Sequence, residues 1–167
     1  PSETLILAFD TSAAHRAAAL LRDHDIVTSR TEEMTKGQAE RLMPLLEEVL
    51  AEGNVSWQDL TAIGVGIGPG NFTGIRISVS AARGLALGLD IPAVGVSGFE
   101  VAALSAPEGH LPAIPAPRDQ VYVEAPDQEP ALLPRSDAEA LGHLHFTETA
   151  QDMIEAIAQI AAVSWED

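Results

Sequence analysis

Apolar residues along this chain fall into short continuous runs and into stripes at helical spacing, with polar or glycine-rich turns between them. Continuous apolar and β-branched runs are typical of buried strands, whereas apolar residues about three or four positions apart indicate an amphipathic helix. The predicted strands are Leu5–Phe9, Ala17–Arg22, Ile26–Glu32, Ala62–Ile67, Ile91–Val96 and Gln120–Ala125, with a weaker one at Leu111–Ile114. The predicted helices are about Gly37–Glu52, Ile75–Leu89, Phe99–Ser105 and about Thr147–Val163. Three strands precede the first helix, and helices and strands then alternate, which predicts an α/β fold.

The distribution of proline divides the chain into two parts. Seven prolines fall between Pro107 and Pro134, whereas residues 1–106 keep an orderly succession of strands and helices. We therefore expect a first domain over residues 1–106 and a smaller second domain over residues 107–167.

A strand, a glycine turn and a helix follow one another from Ala62 to Leu89. Asn71 or Thr73 can cap the helix by accepting a hydrogen bond from a free backbone N–H. The remaining free N–H groups and the helix dipole favour an anion at the turn. The glycine spacing matches neither a Walker loop nor a dinucleotide fingerprint. A tight turn that needs glycine for close packing is the alternative, and the spacing alone favours it.

The first strand ends in Asp10-Thr11-Ser12. A carboxylate and two hydroxyls at the carboxyl end of a strand are well placed for a ligand in an open α/β sheet. A polar cap of the turn explains the same residues, and the local sequence leaves both interpretations open.

The first two helices carry apolar stripes of different bulk. The first has leucines and a valine at helical spacing, whereas Ser80, Gly84 and Gly88 lie four apart on the second. Glycine costs up to about 1 kcal/mol in a helix, which suggests that close approach of another helix matters here. Packing on the protein's own sheet is the alternative use of either stripe.

The composition restricts the classes of function. The chain has 9 basic and 25 acidic residues and a formal charge of −16, so we do not expect it to hold nucleic acid without a basic partner. It has no cysteine, which excludes disulfides, thiolate nucleophiles and zinc–cysteine sites. His15 and His24 fall in predicted turns and have no ligand spacing, and the pair His143/His145 lies in a poorly patterned region, so we expect no metal. No apolar run approaches the roughly 20 residues that span a bilayer, and we expect a soluble, cytoplasmic protein.

Three segments together resemble the TsaB family, also called YeaZ, of bacterial accessory proteins for threonylcarbamoyladenosine in tRNA. They are the strand ending in Asp10-Thr11-Ser12, the run Glu40-Arg41-Leu42-Met43-Pro44, and the run from Gly66 to Arg76, which reads GIGPGNFTGIR. The resemblance extends over roughly residues 4–125.

The resemblance implies an actin-like ATPase fold of the ribonuclease-H type, with a complete first lobe and a shortened second lobe. It implies a non-catalytic subunit that binds TsaD and TsaE, forms a homodimer when TsaD is absent, and meets tRNA only through the complex. TsaD transfers the threonylcarbamoyl group to adenosine 37 of tRNAs that read codons starting with A. Its two metal-binding histidines correspond here to Gly98 and Ala102, which cannot ligate a metal, so the resemblance implies neither a transferase centre nor peptidase activity.

The resemblance also implies site residues. The partner interface would lie on the first two helices, at Arg41, Leu42, Leu45, Leu46, Val49, Ile77, Ser80, Ala81, Gly84 and Gly88. ATP or ADP, not tightly bound, would lie at or near that interface, with Asp10, Thr11, Ser12, Gly68, Gly70, Asn71, Thr73, Gly74 and Arg76 as the candidate contacts. Arg76 is the candidate phosphate ligand, and an ion pair with an acidic neighbour is the alternative. An ATPase or small-molecule kinase on the same fold is the alternative function, and a peptidase is the least favoured one.

Overall fold

The computed structural model describes residues 3–33 and 38–167. A mixed five-stranded sheet forms its centre, in the order β3-β2-β1-β4-β5. The strands are β1 (Leu5–Asp10), β2 (His15–Arg22), β3 (Asp25–Glu33), β4 (Ala62–Gly66) and β5 (Ala93–Val96). The first three form an antiparallel meander, and β4 and β5 run parallel to β1.

The helices and a second sheet surround this centre. The helices are α1 (Gln38–Glu52), α2 (Phe72–Leu89), α3 (Gly98–Ser105), α4 (Arg135–Glu139) and α5 (Ala150–Ser164). The second sheet has the order β8-β7-β6-β9 and consists of β6 (Leu111–Ala116), β7 (Gln120–Val123), β8 (Ala131–Pro134) and β9 (Leu144–His145). The predicted α/β class is confirmed.

Side chains that alternate along β1 build two cores, one on each face of the sheet. Leu5, Leu7 and Phe9 pack against the leucine stripe of α1 and the inner side of α2. Ile6 and Ala8 pack on the other face, where Ile154 and Ile157 of α5 cover the sheet. The sheet is therefore buried on both faces, which explains the continuous apolar sequence of β1.

Several boundaries differ from the sequence prediction. The helix predicted to begin at Ile75 begins at Phe72, because the side chain of Asn71 accepts a hydrogen bond from Gly74 N and caps the helix there. The predicted start of the first helix at Gly37 lies outside the described residues. β8, α4 and β9 are absent from the prediction, since each has no more than five residues and shows no period.

The predicted division near residue 106 falls between the two sheets. Residues 111–145 contain all four strands of the second sheet, whereas α5, which follows them in the chain, packs against β1, β2 and β4 of the first. The division of the chain into two domains stays a prediction. Among the described residues, no helix combines the length and the apolarity that crossing a bilayer requires.

Candidate functional site

The two predicted polar segments meet at the carboxyl edge of the sheet. The turn after β1 lies against the glycine turn and the first residues of α2. Asn71 N donates to Ser12 O at 2.7 Å, and the Thr11 hydroxyl donates to Gly74 O. The structure thus brings together Asp10–Ser12 and Gly68–Gly74, as their positions at the ends of neighbouring parallel strands require.

Three glycines four residues apart make this contact possible. A Cβ atom at Gly66 would collide with the Asp10 carboxylate, one at Gly70 with Ser12 O, and one at Gly74 with Thr11 O. Gly68 has φ of +84°, a conformation that glycine adopts at little cost. The glycine run therefore lets α2 and its turn approach the β1 turn at backbone distance.

Asp10 is enclosed rather than presented to solvent, with a relative exposure of 3%. Ser12 Oγ donates to both carboxylate oxygens, at 2.8 and 2.9 Å. Burial raises the pKa of Asp10 above its ordinary value, and the hydrogen bonds from Ser12 oppose that shift. Thr11 and Ser12 are equally buried. The polar groups of this turn are engaged within the chain, which favours the turn-cap interpretation over a ligand site.

The exposed residues of this region follow the glycine turn, at the start of α2. Asn71, Thr73 and Arg76 are exposed, and the guanidinium of Arg76 stands 5.6 Å from the ring centroid of Phe72. Within the described residues Arg76 forms no ion pair, so the acidic neighbour considered as an alternative is not found there. The cap already occupies Gly74 N. Nucleotide binding at these residues stays a prediction.

The outer surface of α1 and α2, here called the outer face, differs from the predicted partner interface. Leu42, Leu45, Leu46 and Val49 are at most 1% exposed, because their stripe packs on the sheet. Arg41 is also engaged within the chain, with bonds to Glu32 and Glu48. The four apolar side chains are therefore part of the core in this chain, and the partner interface itself stays a prediction.

The small-residue strip of α2 is open. Ser80, Gly84 and Gly88 are exposed, and a Cβ atom at either glycine would meet nothing within 4 Å. Ile77 and Ala81 are half-buried at the edge of the strip, beside a groove between α1 and α2 of about 440 Å³. The strip therefore has the free space that the close approach of another helix needs.

The sequence analysis did not include three apolar side chains of the outer face among the interface residues. Phe72 is 72% exposed and Leu87 is 86% exposed, and Met43 contributes to the groove. Leu87 lies seven residues after Ser80, so the same helical spacing that marked the strip marks Leu87 as well. Phe72 had no such signal, because the predicted helix began after it.

The networks of charged residues stabilise α1 on the sheet. Arg41 Nη2 donates to Glu32 at 2.6 Å, and Arg16 Nε donates to the same carboxylate at 2.8 Å. These hydrogen bonds, first from Arg41 and then from Arg16, lower the pKa of Glu32 to about 2. Arg41 and Arg30 do the same for Glu48. The network ties β2, β3 and α1 together.

The histidines form contacts of a different kind. His110 and His143 are stacked with ring centroids 5.3 Å apart, and Ser105 Oγ lies 2.8 Å from His145 Nε2. Nowhere in residues 3–33 and 38–167 do three or more ligating side chains gather in a way that could hold a metal ion.

Gly98 and Ala102, which the sequence resemblance aligned with metal-binding histidines, lie on the buried side of α3. A Cβ at Gly98 would approach Ile114 Cδ1 to 2.6 Å, and Ala102 is fully buried. Glu100 is exposed, and its backbone N–H is capped by Ser97 Oγ. This part of the chain is packed as core.

Comparisons with known proteins show which family and which fold this chain shares. A sequence model of the family TsaD, tRNA N6-adenosine threonylcarbamoyltransferase, matches residues 25–166. The tRNA threonylcarbamoyladenosine biosynthesis protein TsaB of Bacillus subtilis is 38% identical over 120 residues, which are 70% of this chain and 52% of that protein. TsaB of Escherichia coli is 38% identical over 92 residues, 55% of this chain and 39% of that protein. The chain thus spans about half the length of the curated relatives it matches.

Solved structures agree on the fold. YeaZ from Pseudomonas aeruginosa superposes with a TM-score of 0.74 at 25% sequence identity, over 98% of this chain and 94% of that chain. RuvC from Thermus thermophilus gives a TM-score of 0.52 at 13% identity, over 95% and 93% of the two chains, a likeness of fold alone. The predicted actin-like fold of the ribonuclease-H type is confirmed.

Proposed function

The chain belongs to the TsaD family, and within it to the TsaB or YeaZ proteins, and from this membership we propose that it is a non-catalytic accessory subunit of threonylcarbamoyladenosine synthesis on tRNA. The modified base would be adenosine 37, as the sequence resemblance implies. The observation that supports the accessory role is the packing of Gly98 and Ala102, which the resemblance aligns with the metal-binding histidines of TsaD, on the buried side of α3.

TsaD is the partner that this proposal requires, and the outer face of α1 and α2 is the surface it would use. The strip Ser80/Gly84/Gly88 is open, and Phe72 and Leu87 expose apolar area beside it. Exposed apolar side chains next to small residues suit the close approach of a partner helix. In the absence of TsaD a second copy of the chain would occupy the same face, and TsaE would join the assembled complex.

The net negative charge of the chain disfavours direct binding of tRNA. With a formal charge of −16 it repels a phosphate backbone, so tRNA would be bound through TsaD and not by this subunit. ATP or ADP would bind weakly at the edge of the outer face, where Arg76 is the exposed cation of the α2 turn. Such a complex works where tRNA is modified, in the cytoplasm.

The test combines binding with turnover. The chain is mixed with TsaD of the same organism and analysed by size-exclusion chromatography with light scattering, and tRNA modification is then measured in the reconstituted system with and without the chain. Gly84→Trp places bulk on the open strip, and we expect at least about tenfold weaker binding to TsaD, with a matching loss of modification.

Ala103→Trp is the matched control, because Ala103 is exposed on α3, away from the outer face. Both variants should keep the circular dichroism of the parent. Modification that proceeds equally well without the chain would refute the accessory role, and normal binding of Gly84→Trp would refute the assigned surface.

The structure and the relatives do not favour the alternative functions. An ATPase or kinase needs a carboxylate that reaches a metal-bound phosphate, whereas Asp10 is 3% exposed and is hydrogen-bonded to Ser12. ATP turnover by the purified chain that disappears in Asp10→Asn would revive this alternative. A peptidase is not favoured, since the relatives are tRNA-modification proteins.

A further inference from the structure

β5 is an edge strand of the central sheet that carries no protection against pairing with another strand. Its sequence, Ala93–Val96, contains neither a charged residue nor a proline. The opposite edge strand, β3, carries charged side chains such as Arg30 and Glu32. In the second sheet, β8 ends in Pro134 and β9 has only two residues. Charges, prolines and very short length keep edge strands from pairing with other chains, so β5 is the exception among the described edges.

The main chain of β5 offers hydrogen-bonding groups on its outer side. Ile67 N donates to Val96 O at 3.0 Å, so the main-chain groups of Val96 and of alternate residues before it face β4. The N–H and C=O groups of Ala93 and Gly95 therefore point away from β4, toward the outside of the sheet. None of them forms a hydrogen bond with another described residue. An additional strand could take up these groups at the outer side of β5.

The side chains along this edge leave space on the face of the sheet that carries α2. Ala93 and Gly95 are exposed, and neither side chain extends beyond a methyl group. Ile67, which directly follows β4, is 44% exposed, and a Cβ atom at Gly95 would stand 3.0 Å from Ile67 Cγ2. The edge therefore combines free main-chain groups with small and apolar side chains, as the docking of an extended chain requires.

α2 borders the same edge with the side that faces away from α1. The sheet order places β4 and β5 beyond β1, and α1 packs on β2 and β3 whereas α2 packs mainly on β4. Ile77 lines the groove between the two helices. At 100° per residue, Val79 and Ala86 lie on the opposite side of α2, toward β5, and both are half-buried. An added strand would pack its side chains against them.

Two charges of opposite sign also lie on the side of α2 that faces away from α1. Arg83 and Asp90 are exposed, and neither forms a salt bridge in the described part of the chain. They are seven residues apart, which is about 10 Å along the helix axis and about three residues along a strand. Because α2 runs from the end of β4 to the start of β5, Asp90 lies near the start of β5 and Arg83 lies further along it.

We propose that the outer side of β5 accepts an extended segment of another protein as a sixth strand, with a carboxylate beside Arg83 and a basic side chain beside Asp90. The segment runs antiparallel to β5, since antiparallel pairs are the more stable ones. Main-chain hydrogen bonds supply affinity in this mode of recognition, and the alternate side chains supply specificity. The inference goes beyond the proposed function and does not depend on it, because the edge of β5 lies apart from the groove and the strip of the outer face.

A short peptide of this pattern tests the proposal. The probe is acetyl-Glu-Val-Ala-Val-Lys-amide, whose two charged side chains share one face of a strand with the central alanine. It is titrated into the 15N-labelled chain and followed by NMR. We expect the amide signals of Ala93 and Gly95 to shift, with a dissociation constant of about 1 mM. A peptide with glutamine in place of both charged residues should bind about fivefold more weakly, because two exposed ion pairs are lost.

Substitutions on the edge separate main-chain pairing from other contacts. Ala93→Pro removes an outward N–H and leaves the hydrogen bonds to β4 in place, and we expect at least about tenfold weaker binding of the peptide. Ala93→Lys places a charge on the edge and should weaken binding as well. Ala103→Lys is its matched control, because Ala103 is an exposed alanine on α3 and the change in charge is the same. All three variants should keep the circular dichroism of the parent.

Three results would overturn the proposal. The first is the absence of shifts at Ala93 and Gly95 at the highest soluble concentration of the peptide. The second is equal binding of the peptide to the parent and to Ala93→Pro. The third is self-association of the parent in light scattering that Ala93→Pro removes, since a second copy of the chain would then be the occupant. Failure of the proposed function is recognised separately, as tRNA modification that does not depend on the chain.

Discussion

Replacement of Gly74 by alanine tests whether the glycine run serves packing or ligand binding. The added Cβ would collide with Thr11 O, which is a main-chain atom and cannot rotate away. The β1 turn and the start of α2 would have to separate, and the hydrogen bond from the Thr11 hydroxyl to Gly74 O would be disturbed. We therefore expect a loss of stability with no ligand present.

The magnitude follows from two opposing effects. Overpacking typically costs about 1–3 kcal/mol, and we take about 3 kcal/mol because the obstacle is main chain. Alanine is favoured over glycine in a helix by about 1 kcal/mol, which leaves a net loss of about 2 kcal/mol. With a urea m-value of about 2 kcal/mol/M, the unfolding midpoint falls by about 1 M.

Gly84→Ala is the matched control on the same helix. Its Cβ meets nothing within 4 Å, so only the helix preference acts and the midpoint should rise by about 0.5 M. Both variants are unfolded in urea and followed by circular dichroism at the helix band. If Gly74→Ala keeps the parent midpoint, or rises with Gly84→Ala, the close packing inferred for the glycine run is refuted.

Three further substitutions address the same turn and the charge network. Thr11→Val removes the hydroxyl that donates to Gly74 O, which still accepts a hydrogen bond from Ser78 Oγ, so the loss should cost about 0.5–1.5 kcal/mol in urea unfolding; no change would show that the bond contributes nothing. Burial raises the pKa of Asp10 in the folded protein, so this carboxyl ionises at a lower pH in the unfolded chain than in the folded one. The parent protein therefore loses stability as the pH rises from the ordinary pKa of an aspartate through the raised pKa of Asp10. Asp10→Asn should lack this loss, and parallel stability–pH curves of the two proteins would contradict it. Arg41→Gln should destabilise the protein at pH 7 but not near pH 2. The pKa of Glu32 is lowered to about 2 in the folded protein, so the stability that its ion pair with Arg41 contributes is lost as the pH falls from the ordinary pKa of a glutamate to about 2. An equal loss of stability at both pH values would exclude the ion pair as the cause.

The central sheet and its helices were largely predictable because their signals are long. The strands around β1 and the stripe of α1 show clear periods, and Asn71 was one of two predicted caps. The segment from Ala131 to His145 was not predictable, since its elements are too short to show a period. There, contacts with the rest of the fold decide the structure.

The candidate site has contacts that the sequence pattern does not predict. The sequence indicates a glycine turn, but only the structure shows that Gly66, Gly70 and Gly74 each lie against the β1 turn. Periodicity likewise places Leu42 and Leu45 on one side of α1 without saying whether that side faces the sheet or a partner. The bulkier stripe faces the sheet because burial of more apolar area stabilises the fold more.

The packing of α5 on the first sheet has a consequence for synthesis of the protein. Ile6 of β1 shares a core with Ile157 of α5, although most of the chain separates them. On the ribosome, the face of the sheet that carries Ile6 and Ala8 is complete as a surface long before its cover has been translated. Contacts between such distant residues slow folding, and the exposed face is then open to chaperones or to aggregation. α5 therefore packs late, and its packing covers an apolar face of the sheet that had been exposed until then.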